Sequence, residues 1–89
     1  MKLEFKKSFT KDLRQKGQDR SLFQRIQEII LSVEQADTIQ EIHNLKKLKS
    51  KDNRFRIRLG DYRLGLTIEN DTVFFVRFLH RKEIYKYFP

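Results

Sequence analysis

An α+β domain is predicted for this chain, in the order β-α-α-β-β-β, with a small antiparallel sheet, two helices on one face and a short C-terminal helical tail. Three patterns in the 89 residues carry that prediction. Residues 54–59, RFRIRL, alternate Arg54, Arg56 and Arg58 with Phe55, Ile57 and Leu59, and a period of two sends the arginines to one face of a strand and the apolar residues to the other. Leu22, Ile26, Ile29, Ile30 and Val33 recur three and four apart, the stripe of an amphipathic helix laid against a sheet. Gly60-Asp61 separates two strand-like runs, with glycine in the first central position as a type II′ turn requires.

In chain order, KLEFK at 2–6 alternates Leu3 and Phe5 to one side and reads as a short first strand added to a sheet edge. Ser8 can cap the helix that follows, Phe9 and Leu13 lie one turn apart within it, and Gly17 marks its end. The striped second helix starts near Asp19 or Ser21. From Ala36 to Asn44 the pattern loosens. His43 stands there without a second histidine or carboxylate at metal-ligand spacing, so it reads as a surface or packing residue, and no metal or cofactor is expected. The lysine run from Leu45 to Lys51 reads as a loop leading into the arginine strand, with Lys47 and Lys49 as candidate phosphate contacts.

The first hairpin sets Leu59 opposite Tyr62, Ile57 opposite Leu64 and Arg58 opposite Arg63. Like charges paired across a ladder destabilise it by about 0.2–1 kcal/mol, so two guanidinium groups held side by side point to an anion between them. The second hairpin has two possible registers, and one residue of slip flips every side chain to the other face. A two-residue loop at Asn70-Asp71 pairs Arg77 with Leu64 on the buried face, whereas a three-residue loop pairs it with Gly65 among the arginines. An unpaired buried guanidinium is costly, which favours the three-residue loop. That register buries Phe74, Val76 and Phe78 under the helices. It leaves Val73, Phe75 and Leu79 on the arginine side, partly covered by Ile84, Tyr87 and Phe88.

Residues 1–89 carry no composition break and form one domain. Absence of cysteine excludes disulfides and thiolate metal sites and fits a reducing cytoplasm. The first twenty residues are charged throughout, so no secretory signal is expected, and no run reaches membrane-spanning length. The net charge of +8 is uneven: residues 1–45 hold eight Lys+Arg against seven Asp+Glu, and residues 46–89 hold twelve against five. The positive field therefore belongs to the second half, where it attracts polyanions, nucleic acid foremost.

The opening KSFTKDL, the block LKKLKSKDNRFRIRLGDYRLGL and the ending HRKEIY together resemble the RelE/ParE superfamily of bacterial type II toxins, closer to the RelE branch, over essentially the whole length. The resemblance implies a ribosome-dependent endoribonuclease that cuts messenger RNA in the decoding site, and a cognate antitoxin that wraps the toxin in a hetero-oligomer; the free toxin is expected to be a monomer. It aligns Arg56 and Arg58 with two basic strand residues near the scissile phosphate, and Arg63 with an arginine that stabilises the transition state. Arg81 aligns with a second phosphate-contacting arginine, and Tyr85 with a C-terminal tyrosine that stacks on or activates the nucleotide. The best-known member has lysines where this chain has Arg56 and Arg58. Arginine effectively never gives up its proton, so neither can act as a base.

Metal-independent RNA cleavage needs a base for the 2′-hydroxyl, cations for the developing phosphorane charge and an acid for the leaving 5′-oxygen. Arg63 and Arg81 suit the second task. His80, with an unperturbed pKa of about 6.5, and Tyr85, at about 10, form the expected proton-transfer pair. Arg54, Arg56, Arg58, Arg77, Lys47 and Lys49 are the expected phosphate contacts. Two other readings stay open. One is a ParE-like toxin that inhibits a topoisomerase by binding; the other is a basic RNA-binding module, for which only Phe75 and Tyr85 are left as stacking aromatics.

Overall fold

The computed structural model describes residues 1–16, 19–49 and 53–88. Strand β1 (Lys2–Phe5) leads into helices α1 (Lys7–Gln15) and α2 (Arg20–Gln35). A 3-10 turn at Ile39–Glu41 follows, and then strands β2 (Leu45–Lys47), β3 (Arg54–Leu59), β4 (Tyr62–Glu69) and β5 (Thr72–His80). The last element is the short helix α3 (Ile84–Tyr87). The strands form one sheet in the order β1-β5-β4-β3-β2. The predicted α+β order holds, with an additional strand: the lysine run read as a loop contributes β2, which pairs antiparallel with β3 through Lys46↔Arg56 and Lys47↔Phe55. The edge strand β1 joins β5 in parallel, so the sheet is mixed rather than antiparallel throughout. Alternation of Leu3 and Phe5 fixes which face is apolar but carries no information on strand direction.

The first hairpin forms in the expected register, Arg58 opposite Arg63 and Leu59 opposite Tyr62. Gly60 takes φ +58°, and Asp61 is not left-handed, as a turn with glycine first demands. The second hairpin corrects the predicted one. Its loop has two residues, Glu69 pairing with Thr72, yet Arg77 still pairs with Gly65. Both hold because Val76 is an extra residue between the pairs Leu66↔Phe75 and Gly65↔Arg77, a β-bulge. The bulge reverses side-chain parity halfway along β5. Val73 and Phe75 therefore lie in the main core with Phe78, while Val76 and Leu79 face the other way. Phe74, expected under the helices, is half-buried beneath the Lys6 ammonium.

Helix α2 starts at Asp19, whose carboxylate accepts from Leu22 N at 3.0 Å, and buries Leu22, Ile26 and Val33 against the sheet. Helix α1 has a different task. Its cap position is Lys6, without a side-chain bond, and Gly17, expected to end it, lies outside the described residues. Ser8 does not cap. Where β1 stops, the backbone of β5 still needs partners, and α1 supplies them: Ser8 Oγ donates to Val76 O, and Phe78 N donates to Asp12 Oδ2 at 2.9 Å. The same buried Asp12 receives Arg77 Nε at 2.8 Å and Nη2 at 3.1 Å.

A second, smaller core lies on the arginine face, where Leu48, Leu79, Ile84 and Phe88 pack together with Val76 at its margin. Gly65 makes room for it. A Cβ there would lie 2.7 Å from Phe88 Cδ2, so only glycine lets the Phe88 ring settle on the sheet. Ile84 and Phe88 thus anchor α3, as expected for the tail, whereas Tyr87 is exposed.

Candidate nucleic-acid interface

Strand alternation places Arg56 and Arg58 on the face away from α2, and the turn at Gly60-Asp61 folds Arg63 back beside them. Backbone carbonyls position the guanidinium groups of Arg63 and Arg56. Arg63 Nη1 donates to Gly60 O and Tyr62 O, both at 2.8 Å, and Arg56 Nη1 donates to Asn44 O at 2.9 Å. Arg56 Nε is buried without a hydrogen-bond partner, an unmet donor within a cationic cluster. At the end of β5, Arg81 N donates to Asp61 O at 2.7 Å, which brings the chain back over the first hairpin. The Arg81 side chain stays largely in solvent, its Nε 4.0 Å from the Asp61 carboxylate.

These groups also act on one another electrostatically. Burial lowers the pKa of Arg63 from its ordinary value, and the repulsion of Arg56 lowers it further. Tyr85 opposes that shift, and Arg58 and Arg81 add to it. The structure therefore brings together Arg56, Arg58, Arg63, Arg81 and Tyr85. Tyr85 reaches the cluster from the first turn of α3, exposed between the buried anchors Ile84 and Phe88.

Other predicted residues fall elsewhere. Arg54 is on the arginine face, but its guanidinium stacks 5.0 Å over the Phe88 ring, where it helps to hold α3. Arg77, expected to contact phosphate, is committed to Asp12, and that hydrogen bond raises its pKa against the opposing effect of burial. Lys47 pairs with Phe55 and so shares the helix-bearing face, opposite to the arginines. Lys49 is exposed beyond the end of β2. Lys46, which the sequence reading passed over, is the strand lysine beside Arg56. Recognising β2 as a strand is what would have found it.

His80 requires the largest correction. It pairs with Tyr62, two residues along from the buried Phe78, and thereby belongs to the helix-bearing face rather than the arginine face. Its ring meets Tyr62 edge-on at 5.7 Å between centroids. Its Nδ1 accepts from Lys82 N at 3.2 Å, which leaves the proton of a neutral ring on Nε2. Phe75, the other aromatic read as exposed, is fully buried. Among the described residues no cluster of His, Cys, Asp or Glu is arranged to hold a metal, and no helix is long and apolar enough to cross a membrane.

The arrangement can bind a phosphodiester through several planar forks of donors and stabilise extra negative charge that develops on it. Among the described residues, Tyr85 brings its hydroxyl to the same cluster.

The family model of the ParE toxin of the type II toxin-antitoxin system parDE matches residues 3–85. Toxin RelE3 of Methanocaldococcus jannaschii is 42% identical over 90 residues, covering 100% of both chains. Among solved structures, a chain of the RelB-RelE antitoxin-toxin complex from Methanococcus jannaschii matches with a TM-score of 0.79 and 40% identity, over 97% of this chain and 99% of that one. YafQ from E. coli, at 12% identity, shares the fold with a TM-score of 0.64 over 93% and 96% of the two chains. On the evidence of a family match from Leu3 to Tyr85 and a full-length relative, the chain belongs to the ParE toxin family of type II toxin-antitoxin systems, within the RelE/ParE superfamily.

Proposed function

We propose that this toxin is a ribosome-dependent endoribonuclease that cuts messenger RNA without a metal and so stops translation. The observation that carries the reading is the pairing of Arg58 with Arg63 inside a cluster completed by Arg56, Arg81 and Tyr85. That accumulation of guanidinium groups costs the free protein stability, and a phosphodiester relieves it.

In the reaction, the 2′-hydroxyl oxygen attacks phosphorus and the bond to the 5′-oxygen breaks, which gives a 2′,3′-cyclic phosphate and a free 5′-hydroxyl. The hydroxyl proton leaves as the new P–O bond forms, and a proton is delivered to the departing 5′-oxygen. Arg63 and Arg81 stabilise charge on the non-bridging oxygens in between. Arg56 and Arg58 hold the phosphate. Tyr85 is the proton-transfer group on this face. The site supplies charge stabilisation more fully than proton transfer, so positioning of the message by the ribosome does much of the remaining work; such positioning can contribute up to about 7–11 kcal/mol.

A cognate antitoxin is the natural partner of such a toxin. Support comes from the RelB-RelE complex and from the RelBE2 complex of Mycobacterium tuberculosis, which contain relatives 40% and 26% identical to this chain.

The ParE family match favours a second reading, in which the toxin binds a topoisomerase and cuts nothing. One experiment separates the two. Purified protein is added to programmed ribosomes and to the same RNA free in solution, and the ends of the products are mapped. Cleavage confined to the decoding site, with 2′,3′-cyclic or 3′-phosphate ends, supports the ribonuclease. Growth arrest with intact messages supports the topoisomerase reading.

A further inference from the structure

A groove of about 700 Å³ is lined by residues of the arginine cluster, the end of β3 and helix α2. The β2–β3 ladder ends at Leu45↔Ile57, and one further backbone bond, from Arg58 N to Asn44 O at 3.3 Å, leaves only Leu59 of β3 beyond it. Arg58, Arg63 and Arg81 of the cluster line it together with Arg25 of α2. Both terminal nitrogens of Arg25 lie 3.9 Å from where a Cβ on Gly60 would be, which sets its guanidinium over the turn at the groove's end. A smaller groove of about 290 Å³ continues past Arg25 toward Asp19, so Arg25 stands in the middle of a longer track. Glu28, one turn along α2, also lines the groove, yet among the described residues Arg25 forms no ion pair with it or with Asp61.

The lining is not only cationic. Half-buried Ile29 offers apolar surface there, Ile42 and Leu59 are almost fully buried in the lining, and the exposed His43 and Asn44 also line the groove. Cations together with apolar surface and polar groups match the chemistry of a nucleotide, whose phosphate seeks guanidinium forks and whose unstacked base seeks a flat, partly apolar support.

We propose that this groove is a second RNA subsite, which holds the nucleotide next to the one that is cut, with Arg25 on its phosphate and His43 on its base. The inference rests on the reading of the arginine face as an RNA site and deepens it. RNA is favoured over an acidic protein segment because three of the groove's four arginines also line the proposed cleavage site, so one continuous strand spans both. Neither Arg25 nor His43 has a part in the chemical step. Their effect is on affinity and on base preference beside the cut.

The test compares wild type with Arg25→Ala, Arg25→Lys, His43→Ala and the control Lys11→Ala, an exposed cation of α1 outside the groove. Two measurements are made: cleavage on programmed ribosomes with kcat and KM separated, and binding of a fluorescent single-stranded RNA pentanucleotide. Arg25→Ala should raise KM about tenfold with kcat within about twofold, weaken pentanucleotide binding, and lower its salt slope by about one. Arg25→Lys should recover part of that binding, and His43→Ala should flatten base preference beside the cut. If wild type binds the pentanucleotide through Arg25 but cuts nothing, the groove is an RNA-binding site and the nuclease reading, with the place beside a cut, fails. If cleavage is normal while Arg25→Ala behaves like Lys11→Ala in both measurements, the subsite is overturned.

Discussion

At the scale of single residues, the central fact is that the chain holds Arg58 against Arg63 at a cost in stability. Replacing Arg58 by Gln should therefore raise the unfolding free energy by about 0.2–1 kcal/mol while it weakens RNA binding; thermal melts beside binding curves check both signs. A cross-strand pair that stabilises the fold when broken is hard to explain except by a ligand. Tyr85 and His80 separate by face. Tyr85→Phe keeps the ring and removes the hydroxyl, and cleavage should fall by about 10²-fold or more with binding nearly unchanged. His80→Gln should leave the cleavage rate within about threefold, because that imidazole packs on Tyr62 across the sheet from the arginines. The sequence alone led to the opposite expectation for His80. An imidazole suits proton transfer in general, but the parity of β5 decides where this one points.

Parity is a property of whole elements, and there the sequence was legible unevenly. The Arg54–Leu59 alternation, the Gly60-Asp61 turn and the apolar stripe of α2 could be read directly, since each follows from a local period or a local backbone requirement. The bulge at Val76 could not. It reconciles a two-residue loop with the Gly65↔Arg77 pair, and nothing within β5 marks the extra residue, since the run from Thr72 to Leu79 is apolar almost throughout. Strand β2 escaped notice because three residues, two of them lysine, carry too short a period. Asp12 was invisible for another reason: its partners Arg77 and Phe78 are sixty-five and sixty-six residues away. Helix α3 yields the prediction at this scale. Gly65→Ala drives a Cβ into the Phe88 ring, so α3 must shift and carry Tyr85 with it. The fold should lose about 1–3 kcal/mol, and cleavage by still-folded protein should fall by tenfold or more, since a misplacement of about 1 Å can cost about 10²-fold. Circular dichroism at the assay temperature separates the two effects.

For the molecule as a whole, the asymmetry of charge is what the partner meets first. Residues 46–89 carry the excess of cations, and folding gathers much of it on one face of the sheet, with the helices α1 and α2 behind it. RNA affinity should fall steeply as salt rises, with a log–log slope near −3 if Arg56, Arg58, Arg63 and Arg81 each neutralise a phosphate, at about 0.7 per contact on a single strand. A binding curve insensitive to salt would remove the electrostatic account. The central claim goes further, to chemistry: the arginine face stabilises the transition state of phosphodiester cleavage rather than merely binding RNA. Single-turnover cleavage of ribosome-bound message, at saturating toxin, tests this most directly when wild type is compared with Arg63→Ala and ribosome binding is measured in parallel. The account predicts a rate at least about 10²-fold lower, the loss that follows removal of one preorganised donor to a developing oxyanion, with affinity reduced by less than about threefold. An Arg63→Ala protein that cuts at the wild-type rate once binding is saturated would contradict it.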